Sequence, residues 1–294
     1  MGKPSKITID DAKSASIKKA KIIAKREAER ADDVARNDMA LGLMSLFRAG
    51  VRAGRRQEIT VNQELEQNFA GVKIRVRGVE LDCFDQDVLL GILALGLQKH
   101  DHDAATTPGN TMPQLKAEGE ALASETIDIC TSMGELLKMV GKARGGAQVE
   151  ATRISIERLS MIVVTAIKGN RRGSQHLIFG SIESGDDIKI RLNWRLTAAL
   201  LATGQKYGGS YASISMTERR ALPAGVPRLV HAFLCAWRPV GGTGRISRVK
   251  IIDHIYGPPS KDRKTQWRRN VAVGEALELI GQLPNWTHIS LPRM

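Results

Sequence analysis

One block constrains the fold more than any other. From Glu125 to Glu183 the chain reads ETIDICTSMGELLKMVGKARGGAQVEATRISIERLSMIVVTAIKGNRRGSQHLIFGSIE. ETIDIC is a short extended piece. TSMGELLKMVG is a short helix with Thr131 or Ser132 as its cap. KARGGAQ is a turn, and VEATRISIERLS is a second helix whose Val149, Ile156 and Leu159 share a face. MIVVTAIKGNRRGSQHLIFGSIE then reads as two strands around a Gly-Asn turn. Helix, turn, helix, hairpin is the element order of a winged helix.

The order recurs toward the C-terminus. VPRLVHAFLCAW is an apolar helix, and SRVKIIDHIYG is a short one. PPSKD is a turn, a long helix runs from about Asp262 to Gln282, and WTHISL closes as a strand, a reduced wing. Between the termini lie four further features. EITVNQEL and VKIRVRG alternate in polarity as a hairpin. DCFDQDVLLGILALGLQ is a buried helix, capped by Asp82 or Asp85, with Val88, Leu89, Ile92, Leu93 and Leu97 as its stripe. The polar run at about 100–125 reads as an inserted surface loop. DDIKIRLNWRLTAALLA supplies another strand and helix. The fold expected is α+β, with tandem winged-helix domains over 37–215 and 216–294. Residues 1–36 alternate Lys/Arg with acids and Ala, and form a charged arm, flexible or helical.

The chain has 294 residues, 42% of them apolar, enough to build real cores. Its net charge of +13 calls for an anionic partner, nucleic acid or an acidic membrane surface. No run of about 18 apolar residues offers a membrane span, and the N-terminus has no apolar signal core. Cys83, Cys130 and Cys235 sit in apolar contexts and read as free core thiols, which points to a cytoplasmic protein. Motifs for catalysis are missing. There is no Gly-Lys-Ser/Thr phosphate loop, no Gly-x-Ser-x-Gly and no carboxylate pair. His100-Asp101-His102 has the spacing of a metal or nicking site, but an Asp between the histidines and a polar flank argue against it. The chain is expected to be no enzyme and to use no cofactor or metal.

The start of the last long helix reads KDRKTQWRR. A helix N-terminus is the positive end of a dipole and prefers acids. Here it carries Lys261, Arg263, Lys264, Arg268 and Arg269 against Asp262. On a helical wheel, Val273, Leu277 and Ile280 share one face with Ala276 beside them, while Lys264, Trp267, Arg268 and Val271 take the far face. Such a helix is apolar-inward at its base and cationic-outward at its tip, as a major-groove recognition helix is. Its Arg and Lys reach guanine edges or phosphates, and Gln266 serves adenine if it rotates outward. Trp267 has two readings, contact with the partner or packing against the protein. In the first unit, Lys142, Arg144, Arg153 and Arg158 surround the turn and second helix, and Lys168, Arg171 and Arg172 sit at the wing tip.

With these residues in view, the sequence resembles the plasmid replication initiators of the IncQ RepC type, and more distantly the TrfA initiators. The likeness is carried by ELLKMVGKARGGAQ with ISIERLSMIVV, by IRLNWRLTAAL through SMTERRAL, by RLVHAFLCAWRPVGGTGRISRVKIIDHIYG and by RKTQWRRNVAVGEALELIGQLPNW. It covers roughly residues 40 to 290. The resemblance implies two winged helices that bind iterons, the direct repeats of a plasmid origin in double-stranded DNA. It also implies opening of adjacent AT-rich DNA and recruitment of replicative helicase. A homodimer is a separate expectation for the chain's assembly. By position it places the recognition helices at about Gln148 to Arg158 and at Arg263 to Arg269. The rival readings are a winged-helix transcriptional repressor and, further off, an origin-nicking nuclease. A membrane role through the basic arm is the weakest.

Overall fold

A computed structural model describes residues 34–51, 56–64, 73–106, 126–182, 186–201, 211–238, 242, 244–284 and 286. The expected arm (but for its last three residues), most of the 100–125 loop and the closing WTHISL strand beyond Trp286 lie outside the described residues.

Helix α2 (Cys83–Thr106) is the centre of the core. Val88 through Leu95, and Leu97, are almost all apolar, and the apolar ones are buried all round the helix rather than on one stripe. A helix apolar on every side needs neighbours on every side. These are β1 (Val34–Asp38), β4 (Asp128–Ser132), α3 (Met133–Met139), α4 (Gly146–Ser160), α5 (Trp194–Leu200), α6 (Met216–Ala221) and α7 (Val226–Trp237). The helix runs through His100 and His102 to Thr106, further than its apolar pattern. Its start is a reciprocal cap. Phe84 and Asp85 donate their backbone N–H to Asp82 at 2.8 and 3.1 Å, and Asp82 donates its own to Asp85 at 2.9 Å.

The strands form three small antiparallel sheets. Strand β1, which begins within the expected arm, pairs with β9 (Tyr211–Ser215). The sheet β4–β8–β7 adds β8 (Asp187–Leu192) and β7 (Ile178–Ile182). The third sheet has the order β2–β3–β5–β6, from β2 (Glu58–Glu64), β3 (Lys73–Val79), β5 (Val163–Lys168) and β6 (Arg171–His176). The segment expected to hold two strands after α4 holds three. Leu177 breaks it: this residue is buried, donates its N–H to the Ile162 carbonyl at 2.7 Å, and hands the chain from β6 to β7 in a different sheet. The β5–β6 hairpin turns through Gly169 at φ +57°, a left-handed residue that suits glycine.

Helix α3 starts with a capping box. Ser132 accepts from the Glu135 N–H, and Glu135 accepts from the Ser132 N–H. Gly141, at φ +74°, turns the chain toward α4. The second helix pair is α8 (Arg248–Tyr256) and α9 (Arg263–Gly281), both packed on α7. Helix α1 (Met39–Leu43) lies against α7 so closely that a Cβ on Gly42 would fall 2.7 Å from the Ala236 Cβ. Of the cysteines, Cys235 is buried and Cys83 half-buried. Cys130, expected in the core, is exposed, because strand alternation turns Ile129 and Thr131 inward and Cys130 out.

Three carboxylates tie the elements together. Asp38 caps α1 and pairs with buried Arg195 at 2.8 Å. Asp85, fully buried, accepts from Ser155 at 2.7 Å, from Arg158 at 2.5 and 3.0 Å, and from Arg56 at 3.0 Å. Asp87 accepts from Arg219 at 2.5 Å and from Arg228 at 2.8 Å, and Arg219 also reaches Gln86.

His254 of α8 stacks on Phe233, with centroids 4.2 Å apart. Burial, with a contribution from nearby Arg48, pushes its pKa down from 6.5 to about 4. Burial also lowers that of His231, against the opposing Glu218 hydrogen bond. Both groups are therefore neutral in the fold and protonate more readily once it opens. Stability is expected to be full above pH 6.5 and to fall as the pH drops toward 4. His254→Gln should flatten part of that fall when urea midpoints are compared across the interval. An unchanged slope would remove His254 as its source.

Candidate nucleic-acid interface

The single acid of KDRKTQWRR stands where the helix needs it. Asp262 is the N-cap of α9 and accepts the N–H of Lys264 at 3.2 Å and of Thr265 at 2.9 Å. The Thr265 hydroxyl donates to the same carboxylate at 2.5 Å. That bond first, then the two amides, hold the Asp262 carboxyl below its ordinary range, and Arg268 adds to the effect. The preceding turn is stitched as well. The Ser260 N–H donates to Gln266 Oε1 at 3.0 Å, and the Asp262 N–H donates to Ser260 Oγ at 3.2 Å. The helix start is thus fixed without using its exposed cations.

Those cations divide into two sets. Lys261, Arg263, Lys264 and Arg268 are exposed. Arg269 turns back, donating to the Pro258 carbonyl at 3.0 Å with its guanidinium 5.0 Å from the centroid of the Tyr256 ring. Gln266 faces the turn through its bond to Ser260. Both hold the corner between α8 and α9. The inward face of α9 buries Val273, Ala276, Leu277 and Ile280, as the wheel predicts. The outward stripe, at i, i+3, i+4 and i+7, is Lys264, Trp267, Arg268 and Val271. Trp267 is 64% exposed and Val271 36%. The Trp267 ring therefore does not fold back into the core of the protein.

The structure adds cations that the sequence pattern does not single out. Arg245, Arg248 and Lys250 are exposed around the start of α8. Gly274 continues the outward stripe one turn beyond Val271. The Arg248 guanidinium lies over it, 3.5 Å from where a Cβ would be. The run RISRVK is the available signal, and by pattern alone it marks only the beginning of a helix.

In the first unit the nominated residues separate similarly. Arg144 is exposed and ion-paired with Asp186. Arg153 is partly exposed, 4.0 Å from Glu150. Lys142 is partly exposed, and its N–H closes the turn onto Leu137 at 2.8 Å. Arg158 points inward to Asp85 and holds α4 on α2. Lys168 and Arg171 are paired across the β5–β6 turn, and Arg172 is exposed beside them. Register places Lys73, Arg75 and Arg77 of β3 on the same sheet face as Arg172, opposite to buried Ile74 and Val76. Their alternation in VKIRVRG marks a strand but not a basic face.

No group of three or more His, Cys, Asp or Glu among the described residues is placed to hold a metal ion. No helix among them is long and apolar enough to cross a membrane.

The family profile described as replication protein C (RepC) matches residues 30–287. In fold, the chain is similar to a crystal structure of selenomethionine derivatives of domain 2 and domain 3 of RctB. The TM-score is 0.52 at 10% identity, covering 82% of this chain and 84% of that one. A second crystal structure, of RctB domains 2-3, gives 0.49 at 10% identity, covering 81% of each. At that identity the likeness concerns the fold alone. No curated protein matches the sequence.

Proposed function

The chain belongs to the replication protein C family, and from that premise we propose that it is a plasmid replication initiator acting by binding, without catalysis, on double-stranded origin DNA in the cytoplasm. Two winged-helix units carry the binding in this reading. Helices α3 and α4 with the β5–β6 wing form one, and helices α8 and α9 form the other. Each recognition helix enters a major groove, and the two grooves lie about 34 Å apart on one face of the duplex. The chain then reads iterons, opens the neighbouring DNA and recruits a replicative helicase, as a monomer or a homodimer.

The observation that carries this reading is the outward stripe of α9. Its base is buried, its N-terminus is already capped by Asp262, and its exposed cations are left over for a partner. Lys264 and Arg268 are placed for base edges or phosphates. Lys261 and Arg263, with Arg245, Arg248 and Lys250 at the start of α8, are placed for the phosphate ridge. In the first unit Arg144, Arg153 and Arg172 take the phosphate role, with Lys142, Lys168 and Arg171. Arg158, Arg269 and Gln266 act indirectly, by holding α4 and α9 in position.

The test is footprinting of the full chain on duplexes selected from random DNA. The expected footprint covers about two helical turns and recurs as a direct repeat. An inverted repeat would favour a repressor, and failure to select any sequence would sink the proposal. Affinity for the selected duplex is expected to fall about 10³–10⁵-fold between 50 and 200 mM salt, as for six to ten neutralised phosphates. A flat salt dependence would count equally against it.

A further inference from the structure

Trp267 stands on the outward stripe of α9 between Lys264 and Arg268, with Val271 one turn on. It is the most exposed large apolar side chain among the described residues. Nothing in α9 needs an indole there. The buried face is filled by Val273, Ala276, Leu277 and Ile280 without it. The stripe is bounded by Arg263 on the N-terminal side and by the Arg248 guanidinium over Gly274 on the other. An apolar strip enclosed by cations is a poor match for an apolar protein groove. Its complement is a surface with apolar groups on its floor and anions along its walls.

The DNA major groove is such a surface. Its walls are phosphate ridges. Its floor presents the thymine C5-methyl, the one apolar group that base pairs expose there. A groove about 12 Å wide admits one α-helix, and the side chains at i, i+3, i+4 and i+7 then face the floor together. We propose that Trp267, supported by Val271, reads thymine C5-methyl groups in the major groove and so sets part of the sequence that this chain selects. The proposal rests on the duplex-binding role of α9 and deepens it. Lys264 and Arg268 supply the polar contacts of the stripe, and Trp267 supplies discrimination that no hydrogen bond to the same edge provides.

Deoxyuridine differs from thymidine by that methyl alone, which makes the test direct. The full chain is bound, at about 50 mM salt, to its selected duplex with each thymine in turn replaced by deoxyuridine. Low salt lets the phosphate contacts hold the duplex while the methyl effect is read. Burying one methyl is expected to change affinity about fourfold. Wild-type affinity should drop by that factor at one or two thymines, and Trp267→Ala should bind the thymine and deoxyuridine duplexes equally. Trp267→Phe should restore part of the difference. Equal wild-type affinity for every deoxyuridine duplex would overturn the inference, as would a full methyl effect retained by Trp267→Ala. Either result leaves sequence-specific binding by α9 in place. Failure to select any sequence would remove the underlying reading as well.

Discussion

Replacing Lys264 and Arg268 together by Ala is expected to lower affinity for the selected duplex by about a hundredfold or more. Each base-edge or phosphate contact of this kind carries about 1–3 kcal/mol, and the two side chains stand one turn apart on the same stripe. The fold should not register the change. Both residues are exposed and outside the buried face of α9, and substitutions at such positions usually stay within about 0.5 kcal/mol of neutral. A gel-shift titration beside a urea unfolding curve separates the two effects. Unchanged affinity would remove α9 from the proposed interface. Reduced affinity with a matching loss of stability would mean that the residues hold the fold and not the DNA.

The second large effect lies in the scaffold. Asp87 faces two guanidiniums, and that of Arg219 is only 1% exposed. Asp87→Ala leaves Arg219 buried with Gln86 and the Arg228 carbonyl as neutral partners. Removing one partner of a buried pair costs about 3–5 kcal/mol, because the remaining charge is stranded. That is a large part of the roughly 5–15 kcal/mol by which a domain is stable. We expect a fall of that size in the urea unfolding free energy, with Asp87→Asn losing less because it keeps an acceptor. A loss below about 1 kcal/mol would show that the network contributes shape rather than stability.

Local pattern made much of this molecule legible. The unbroken apolar run of α2, the apolar periods of α4, α7 and α9 and the capping residues Ser132 and Asp262 are written within a few residues of their effect. The Gly-Asn turn of the β5–β6 hairpin is equally local. What stayed hidden depends on distant partners. Arg158 reads as one more outward cation until Asp85, 73 residues away in sequence, is brought beside it. Arg269 belongs to the same stretch as Arg268, yet its turn toward Pro258 and Tyr256 needs the geometry of the α8–α9 corner. The basic face of the four-stranded sheet appears only once β3 is paired with β5 and β5 with β6. Strand register between remote segments is not encoded in either segment alone. Exposure of Trp267 is also a tertiary outcome, since a wheel says which way a side chain leaves the helix but not what awaits it.

Asp85 and Asp87 are two residues apart at the head of α2, and both are buried. One grips α4 through Ser155 and Arg158, and the other grips α6 and α7 through Arg219 and Arg228. The ruler joining the two halves of the molecule is thus less than a single helical turn of about 5.4 Å. A duplex turns by about a tenth of a revolution per base pair. Under the proposed two-groove binding, one base pair inserted between the two contacts is a misalignment of helical phase that the packing around Asp85 and Asp87 has to absorb.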